Sequence, residues 1–363
     1  MAAKSDSSRG KTRRSSRRQK TSFSDRELAA AYRQALVRFA HRSYVTGVTI
    51  GEKIKEGRYR KETVIRVHVR EKIPKSFLRK AEVFPVEVEG VPVDVVERSY
   101  GIHASLTEKL FRKNEVLDPV QPGIGISRAD VSVGSLGPGT LGLVAFDRRD
   151  GAPCLLSAAH VLAGGSTAKP GDPILQPSPQ NGGRVERHTI AELRGFMLGP
   201  KGDAAFARLV GLRRVNPTPL GISTRIVEAR MPQVGDVLVK SGRTTAVTRG
   251  RVESIGMIEV PYPDRPQPIR MCGFELRPVE PGNPAGEEIT EAGDSGAVWF
   301  DPENGAGVGL HVAGVDHLPQ SEHSLACFLP SVLDELGLSL TPTDLTGDLP
   351  FTDETATVLT EMG

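Results

Sequence analysis

The stretch EAGDSGAV, residues 291–298, decides the fold of this 363-residue chain. It places Ser295 between two nearby glycines, Gly293 and Gly296, and glycine adopts the backbone conformations of a strained turn at the lowest cost. Such a turn exposes the serine hydroxyl and points the Gly293 and Ser295 amides toward one place, where they can stabilise an oxyanion. Because GDSG alone also suits an ordinary turn, further groups must be sought along the chain.

Two other motifs supply a base and an acid. LSAAHV, residues 156–161, places His160 directly after an apolar strand, and its two alanines let the turn pack tightly. GDAAFA, residues 202–207, places Asp203 at the start of another apolar strand, beside side chains too small to block an imidazole. Acyl transfer by a serine needs a hydroxyl, an imidazole that takes its proton and a carboxylate that fixes the imidazole's tautomer. An exposed histidine and a turn aspartate are the structural alternatives for the last two.

A histidine in LSAAHV, an acid in GDAAFA and a serine in GDSGA, in that order, resemble the chymotrypsin- and trypsin-like serine proteases. Subtilisins and α/β-hydrolases have a different order. The resemblance covers residues 123–336 and implies a mainly β fold of two antiparallel Greek-key β-barrels with the site between them. It also implies that Ser295 is the nucleophile, His160 the general base and then acid, Asp203 the orienting carboxylate, and the Gly293 and Ser295 amides the oxyanion hole.

The pattern of apolar residues predicts the organisation of the rest of the chain. A Ser24-Asp25 start and helical spacing predict an amphipathic helix, and the alternating run VIRVHVR, residues 64–70, predicts a strand with His68 on its solvated face. Short apolar runs between Gly and Pro clusters from residue 123 onward are typical of barrels. The expected divisions are a disordered basic tail (1–23), an N-terminal helix and small α+β domain (24–98), a connector (99–122), a trypsin-like domain (123–340, with barrels at about 123–212 and 231–330) and an acidic tail (341–363).

Two departures from the secreted digestive proteases favour a bacterial or intracellular-type branch of the family. His160 is followed by Val161 rather than by a disulfide cysteine, and no apolar N-terminus exposed by cleavage is evident before the barrel. Pairing of a new N-terminus with Asp294 is therefore not expected. The site is expected to be preformed, or to be controlled by the domain ahead of it.

Composition bounds the location and the partners. Three scattered cysteines argue against a disulfide framework and for a reducing compartment. No stretch is long and apolar enough to span a bilayer, and residues 1–20 lack the apolar core of a signal sequence. The expectations are a cytoplasmic location, no membrane partner and no cofactor. Residues His311, His317, His323 and Cys327 suggest zinc, but strand and loop would have to bring all four to one point, so no metal is expected.

Three residues are candidates for the pocket that binds the side chain before the cut bond. Ile289 stands where an enzyme specific for Lys or Arg carries an aspartate, which argues against that preference. His311 lies with Gly314 on the strand expected to line the pocket, and resembles the histidine of proteases that cut after glutamate or glutamine. A histidine that only packs there predicts an aliphatic preference instead. The two interpretations stay equally open.

The function expected from these residues is that of a serine endopeptidase acting on protein or peptide substrates. One alternative is a catalytically silent protease-like scaffold that binds partners, since fold alone does not determine function. The other is a polyanion binder that uses the basic tail, in which eight Lys and Arg residues occur within residues 1–20. That tail has no interleaved aromatic residue for contacts with bases, which disfavours nucleic acid as a partner.

Overall fold

The computed structural model describes residues 22–55, 58–102, 115–130, 137–164, 167–211, 213–279, 288–315 and 322–342. The basic tail up to residue 21, residues 103–114 of the connector, His317 and the acidic tail from residue 343 lie outside these ranges. Of the described helices, none is long and apolar enough to cross a membrane.

The N-terminal residues form one helix packed on four strands. These elements are α1 Asp25–Phe39, β1 Val45–Lys55, β2 Arg58–Val69, β3 Glu87–Val88 and β4 Val91–Glu97. The helix begins as the sequence predicts, because the Ser24 hydroxyl accepts the Glu27 amide and the Glu27 carboxylate accepts the Ser24 amide, a reciprocal capping box. One helix face, made of Ala31, Tyr32, Ala35 and Phe39, is buried against the strands.

Short strands follow along the rest of the chain. The first group comprises β5 Gly125–Arg128, β6 Gly139–Thr140, β7 Leu143–Asp147, β8 Pro153–Ser157, α2 Ala159–Leu162, β9 Pro173–Leu175, α3 Val185–His188, β10 Thr189–Gly199 and β11 Gly202–Leu209. The second comprises β12 Glu228–Ala229, β13 Val237–Gly242, β14 Ala246–Val260, β15 Ile269–Pro278, β16 Val298–Phe300, β17 Ala306–Gly314, β18 Ser324–Phe328, α4 Leu329–Glu335 and β19 Leu338–Ser339.

Two antiparallel arrangements result. The first is an eight-stranded sheet in the order β19-β7-β8-β11-β10-β9-β5-β6. In the second, β13-β16-β17-β18-β15-β14 closes into a six-stranded barrel because β13 also pairs with β14. Each has its own apolar core, and a third cluster fills the space between them. The expected mainly β fold with two antiparallel units is confirmed.

The N-terminal strands continue the sheet of the second barrel. Strand β14 is 15 residues long; its first half pairs with β13 and its second half with β1, where Gly51 lies opposite Ser254 and Gly47 opposite Ile258. The division at residue 98 stays a prediction, but hydrogen bonds cross from the N-terminal unit into the barrel.

A buried cluster of charges fills this junction. Arg98 of the N-terminal unit lies 2.7 Å from Glu275 and 3.1 Å from Glu253 of the barrel, and Arg66 contacts the same two carboxylates. His68 is also fully buried, so the expectation of a solvated face was wrong. Burial lowers the pKa of His68 to about 4, which leaves the ring neutral. The face that appears polar in the sequence is covered by the barrel.

Candidate active site

The end of strand β8 positions His160. The strand ends at Ser157, Ala158 has an extended backbone, and one turn of helix begins at Ala159. This turn packs directly against the glycine-flanked serine motif: a Cβ at Gly296 would lie 2.1 Å from Ser157 Oγ and 2.9 Å from the Ala158 nitrogen. Only glycine fits there, and its φ of +91° also favours glycine. The close contact brings the histidine and serine segments together.

The Asp203 carboxylate orients the His160 ring. Its Oδ1 accepts the His160 backbone amide at 3.0 Å, and its Oδ2 lies 2.5 Å from His160 Nδ1. The Tyr262 hydroxyl donates to the same Oδ2 at 2.7 Å. A carboxylate accepts hydrogen bonds, so the network assigns the proton of a neutral imidazole to Nδ1 and leaves Nε2 as the acceptor. This is the tautomer that a general base requires.

The environment keeps Asp203 ionised. Burial alone would raise the pKa of this fully buried carboxyl, but the charge of His160 and the hydrogen bonds from His160 and Tyr262 outweigh it and lower the pKa. Burial and the neighbouring carboxylate raise the pKa of Tyr262 well above its usual value, so the phenol keeps the proton that it donates. Tyr262 follows β14 in a loop remote from every motif, and no sequence signal identified it.

Ser295 lies in the expected turn between two glycines with positive φ, +98° at Gly293 and +91° at Gly296. Its carbonyl accepts the Thr140 amide at 2.8 Å, which fixes the turn against the first barrel. Its hydroxyl donates to the Val312 carbonyl at 3.4 Å and, among the described residues, makes no hydrogen bond with His160. The nucleophile and base candidates are thus in neighbouring segments, with the proton-transfer hydrogen bond not yet formed. Such bonds are commonly long before substrate binds.

The two amides expected to form the oxyanion hole are available. Neither the Gly293 nor the Ser295 nitrogen donates a hydrogen bond to another described residue, whereas Asp294, between them, donates to the Glu291 carbonyl at 3.0 Å. Backbone donors left unpaired in a buried turn are uncommon. They are the groups that can stabilise a developing negative charge on a carbonyl oxygen.

A buried lysine holds the turn from behind. Lys240 Nζ lies 3.2 Å from Asp294 Oδ2, and both side chains have no exposed area. The same carboxylate accepts the amides of Thr244, Thr245 and Glu291 at 2.9, 3.2 and 3.1 Å. Burial alone would raise the pKa of Asp294, but the Lys240 charge and these hydrogen bonds lower it. The carboxylate therefore has its cation within strand β13.

The three pocket candidates differ in their surroundings. The Ile289 side chain is 4% exposed and packs into the core of the second barrel. His311 is buried, and its Nδ1 lies 2.9 Å from Ser324 Oγ. Gly314, at the end of β17, pairs with Ser324 on one side and with Gly101 on the other. His311 thus has a partner in the protein, as the packing interpretation expects, while Ile289 faces the barrel core.

Next to these candidates lie two polar groups that the sequence did not indicate. Glu322 Oε1 accepts the Ile289 and Thr290 amides at 3.1 and 3.2 Å. Burial, together with the charges of Glu288 and Glu291, raises the pKa of Glu322 to about 7. The Thr290 hydroxyl is buried and has no hydrogen-bond partner among the residues that the structure describes.

The zinc alternative finds no support among the described residues, since no three His, Cys, Asp or Glu side chains there lie close enough to hold a metal ion. His311 contacts Ser324, and His323 lies 2.8 Å from Glu253. His317 is outside the described ranges.

Comparison with known proteins gives matches at the level of structure. No protein-family model matches the chain, and no curated protein matches it. Similar solved structures include a glutamic acid-specific serine protease described as using a novel histidine triad in substrate binding (19% identity, 61% of this chain, 100% of that chain, TM-score 0.45). Others are protease A of Thermobifida fusca (14%, 62%, 100%, 0.44) and the Nocardiopsis protease NAPase (16%, 61%, 98%, 0.43). The chain is similar to chymotrypsin-like serine proteases.

Proposed function

We propose that the protein is a serine endopeptidase in which Ser295, His160 and Asp203 hydrolyse peptide bonds through an acyl-enzyme. The observation that carries this proposal is the hydrogen bond from His160 Nδ1 to Asp203 Oδ2, 2.5 Å long, in a segment packed against the serine turn. This hydrogen bond leaves His160 Nε2 able to accept a proton, and the Ser295 hydroxyl lies in the neighbouring turn.

The chemistry follows from the positions of these groups. The Ser295 hydroxyl leaves the Val312 carbonyl, transfers its proton to His160 Nε2 and attacks the substrate carbonyl carbon. The Gly293 and Ser295 amides donate to the oxyanion that forms. His160 then protonates the leaving amine, and water, activated by the same imidazole, hydrolyses the acyl-enzyme. Asp203 stays ionised throughout and stabilises the imidazolium.

Two further residues position this machinery without touching the substrate. Tyr262 fixes the Asp203 oxygen that binds the His160 ring, at 2.7 Å. Lys240 fixes Asp294, the residue between the two oxyanion-hole amides, at 3.2 Å. Both are held by burial, so the site is proposed to be preformed.

We assign the binding of the side chain before the cut bond to the region around His311. His311 contacts Ser324 through Nδ1, and its imidazole is the group that would recognise a substrate carbonyl. A peptide library cleaved by the wild type and by His311→Ala separates the alternatives. Loss of cleavage after Glu or Gln supports recognition by the imidazole, and an unchanged aliphatic profile supports packing alone.

Hydrolysis of a fluorogenic peptide library by purified variants tests the assignment. Ser295→Ala and His160→Ala should each remove activity by roughly 10⁶-fold, the size seen when a serine-protease triad is broken. Asp203→Asn should cost roughly 10⁴-fold through the wrong imidazole tautomer. His41→Ala, which removes an exposed histidine, serves as the control and should retain full activity. A folded wild type without turnover on any peptide would favour the silent scaffold instead.

A further inference from the structure

A short segment of the connector, directly after the N-terminal unit, lies against strand β17 beside the candidate nucleophile. The Gly101 nitrogen donates to the Gly314 carbonyl at 3.1 Å, and the Gly314 nitrogen donates to the Gly101 carbonyl at 3.3 Å. The two residues form an antiparallel bridge. Reciprocal bonds of this kind are those of a neighbouring strand, not of a chance contact.

This bridge lies on the edge of β17 that faces Ser295. On the opposite edge, Gly314 pairs with Ser324 of β18. Two residues before Gly314, the Val312 carbonyl accepts the Ser295 hydroxyl at 3.4 Å. An extended peptide advances about 3.3 Å per residue. A peptide paired antiparallel with Gly314 on this edge therefore reaches the nucleophile two residues, or about 7 Å, further on.

An exposed strand edge is a general binding site for extended peptides, because the backbone groups of the peptide complete the ladder. An endopeptidase must hold its substrate extended beside the nucleophile. The edge at Gly314 has the required position. The backbone donor and acceptor that a substrate would need there are the two groups that Gly101 occupies.

Contacts on both sides of Gly101 anchor the segment. The buried hydroxyl of Tyr100 donates to Glu275 of the barrel, within the charge cluster that also holds Arg98. Ile102, 7% exposed, belongs to the apolar cluster between the two barrels, which also includes Val312. The segment is thus fixed by a charged anchor before the bridge and an apolar anchor after it.

We propose that residues Tyr100–Ile102 occupy the edge of β17 at Gly314, where the backbone of an extended substrate has to pair, so that the chain inhibits itself. This inference rests on the proposed function and specifies how the same site is regulated. A substrate must displace the segment before it can pair with Gly314. Competition of this kind raises KM and leaves kcat unchanged, because the occupied and empty states do the same chemistry once substrate is bound.

The size of the effect follows from the contacts that must be exchanged. Each backbone hydrogen bond between the segment and Gly314 contributes a factor of roughly 2 to 13, and the burial of Ile102 adds to this. Ile102→Glu should therefore lower KM by at least about tenfold, since it places a charge in the apolar cluster and expels the segment. The matched control is Ile73→Glu, which makes the same change at a side chain of the N-terminal unit that is 46% exposed.

The experiment measures KM and kcat of the full-length proteins on the best fluorogenic peptide of the library, with and without the synthetic peptide acetyl-ERSYGI-amide, which copies residues 97–102. Self-inhibition predicts a lower KM and an unchanged kcat for Ile102→Glu, and a wild-type KM for Ile73→Glu. The peptide should inhibit the Ile102→Glu variant competitively but not the wild type. If Ile102→Glu lacks a cooperative thermal transition, Gly101→Pro replaces it, since proline removes the amide that donates to Gly314 and restricts the backbone of the segment without burying a charge.

A KM within twofold of the wild type in the folded variant, or equal inhibition of both proteins by the peptide, overturns the inference. A fluorophosphonate probe separates this failure from failure of the proposed function, because so small a probe does not need the edge of β17. Labelling of Ser295 in both proteins with unchanged KM rejects self-inhibition alone. Absence of labelling in both proteins rejects the catalytic assignment itself.

Discussion

Replacing Lys240 by methionine should damage both the stability and the catalytic turn of the protein. Lys240 and Asp294 have no exposed area and lie 3.2 Å apart. Removing the lysine leaves the carboxylate buried without its cation, and breaking a buried pair from one side costs about 3–5 kcal/mol. Domains are stable by about 5–15 kcal/mol, so the loss is a large fraction of the total. The hydrogen bonds from the Thr244 and Thr245 amides to Asp294 remain and limit the loss of stability.

Two comparisons isolate the buried pair. Lys201 also contacts a carboxylate, Glu335, at 2.6 Å, but the side chains are 56% and 42% exposed. Lys201→Met should therefore cost about 0–1 kcal/mol. The double variant Lys240→Met/Asp294→Asn removes both charges and should recover part of the loss, since the effects of contacting residues are not additive.

Chemical denaturation and the rate of fluorophosphonate labelling are the assays. The Lys240→Met protein should unfold at lower denaturant than Lys201→Met, and should label more slowly by about 10²- to 10³-fold, the loss expected when an oxyanion donor is misplaced. Equal stability of the two lysine variants would show that the buried Lys240–Asp294 pair does not stabilise the turn.

Three further outcomes follow from the same contacts. Tyr262→Phe removes one hydrogen bond from Asp203 and should lower kcat/KM about tenfold with little change in KM, a loss measured by peptide hydrolysis. The pKa values of Asp203 and Asp294 are lower in the folded than in the unfolded protein, where they are about 3.9, so both carboxylates stabilise the fold above that pH. This stabilisation should disappear as pH falls through the folded pKa values. The unfolding temperature of Asp294→Asn, measured from pH 7 to pH 2, should therefore fall less with acid than that of the wild type. The pKa of Glu322 is about 7 in the folded protein and about 4.3 in the unfolded chain. The stabilisation from the protonated carboxyl is therefore complete below about pH 4.3 and is lost as pH rises through 7. Glu322→Gln should raise the unfolding temperature more at pH 8 than at pH 5.

Local motifs predicted the parts of the site that depend on backbone geometry. The glycines at 293 and 296 have the positive φ angles that the serine turn requires. The small residues of LSAAHV allow the close contact with Gly296. Period-two apolar runs predicted the strands, and the Ser24 start predicted the first helix. These features are encoded within a few residues, so a single sequence displays them.

Long-range contacts could not be predicted in this way. Tyr262 reaches Asp203 across 59 positions, and Lys240 reaches Asp294 across more than 50. His68 occupies a polar position in an alternating strand, which is typical of a solvated side chain. Because strand β14 extends past the barrel and pairs with β1, the face that carries His68 is covered by the barrel instead. The pairing of Gly101 with Gly314 leaves no trace in composition or spacing. Each of these contacts depends on which strands become neighbours in the folded protein, and no short stretch of sequence contains that information.

Labelling with a fluorophosphonate, followed by mass spectrometry of the digested protein, tests the central claim most directly. The probe forms a covalent bond only with a serine whose proton is taken by a neighbouring base. We expect one adduct, on Ser295, formed by the wild type and by His41→Ala, and abolished in Ser295→Ala and His160→Ala. An adduct on another serine, or labelling of Ser295 that continues at the wild-type rate in folded His160→Ala, would contradict it.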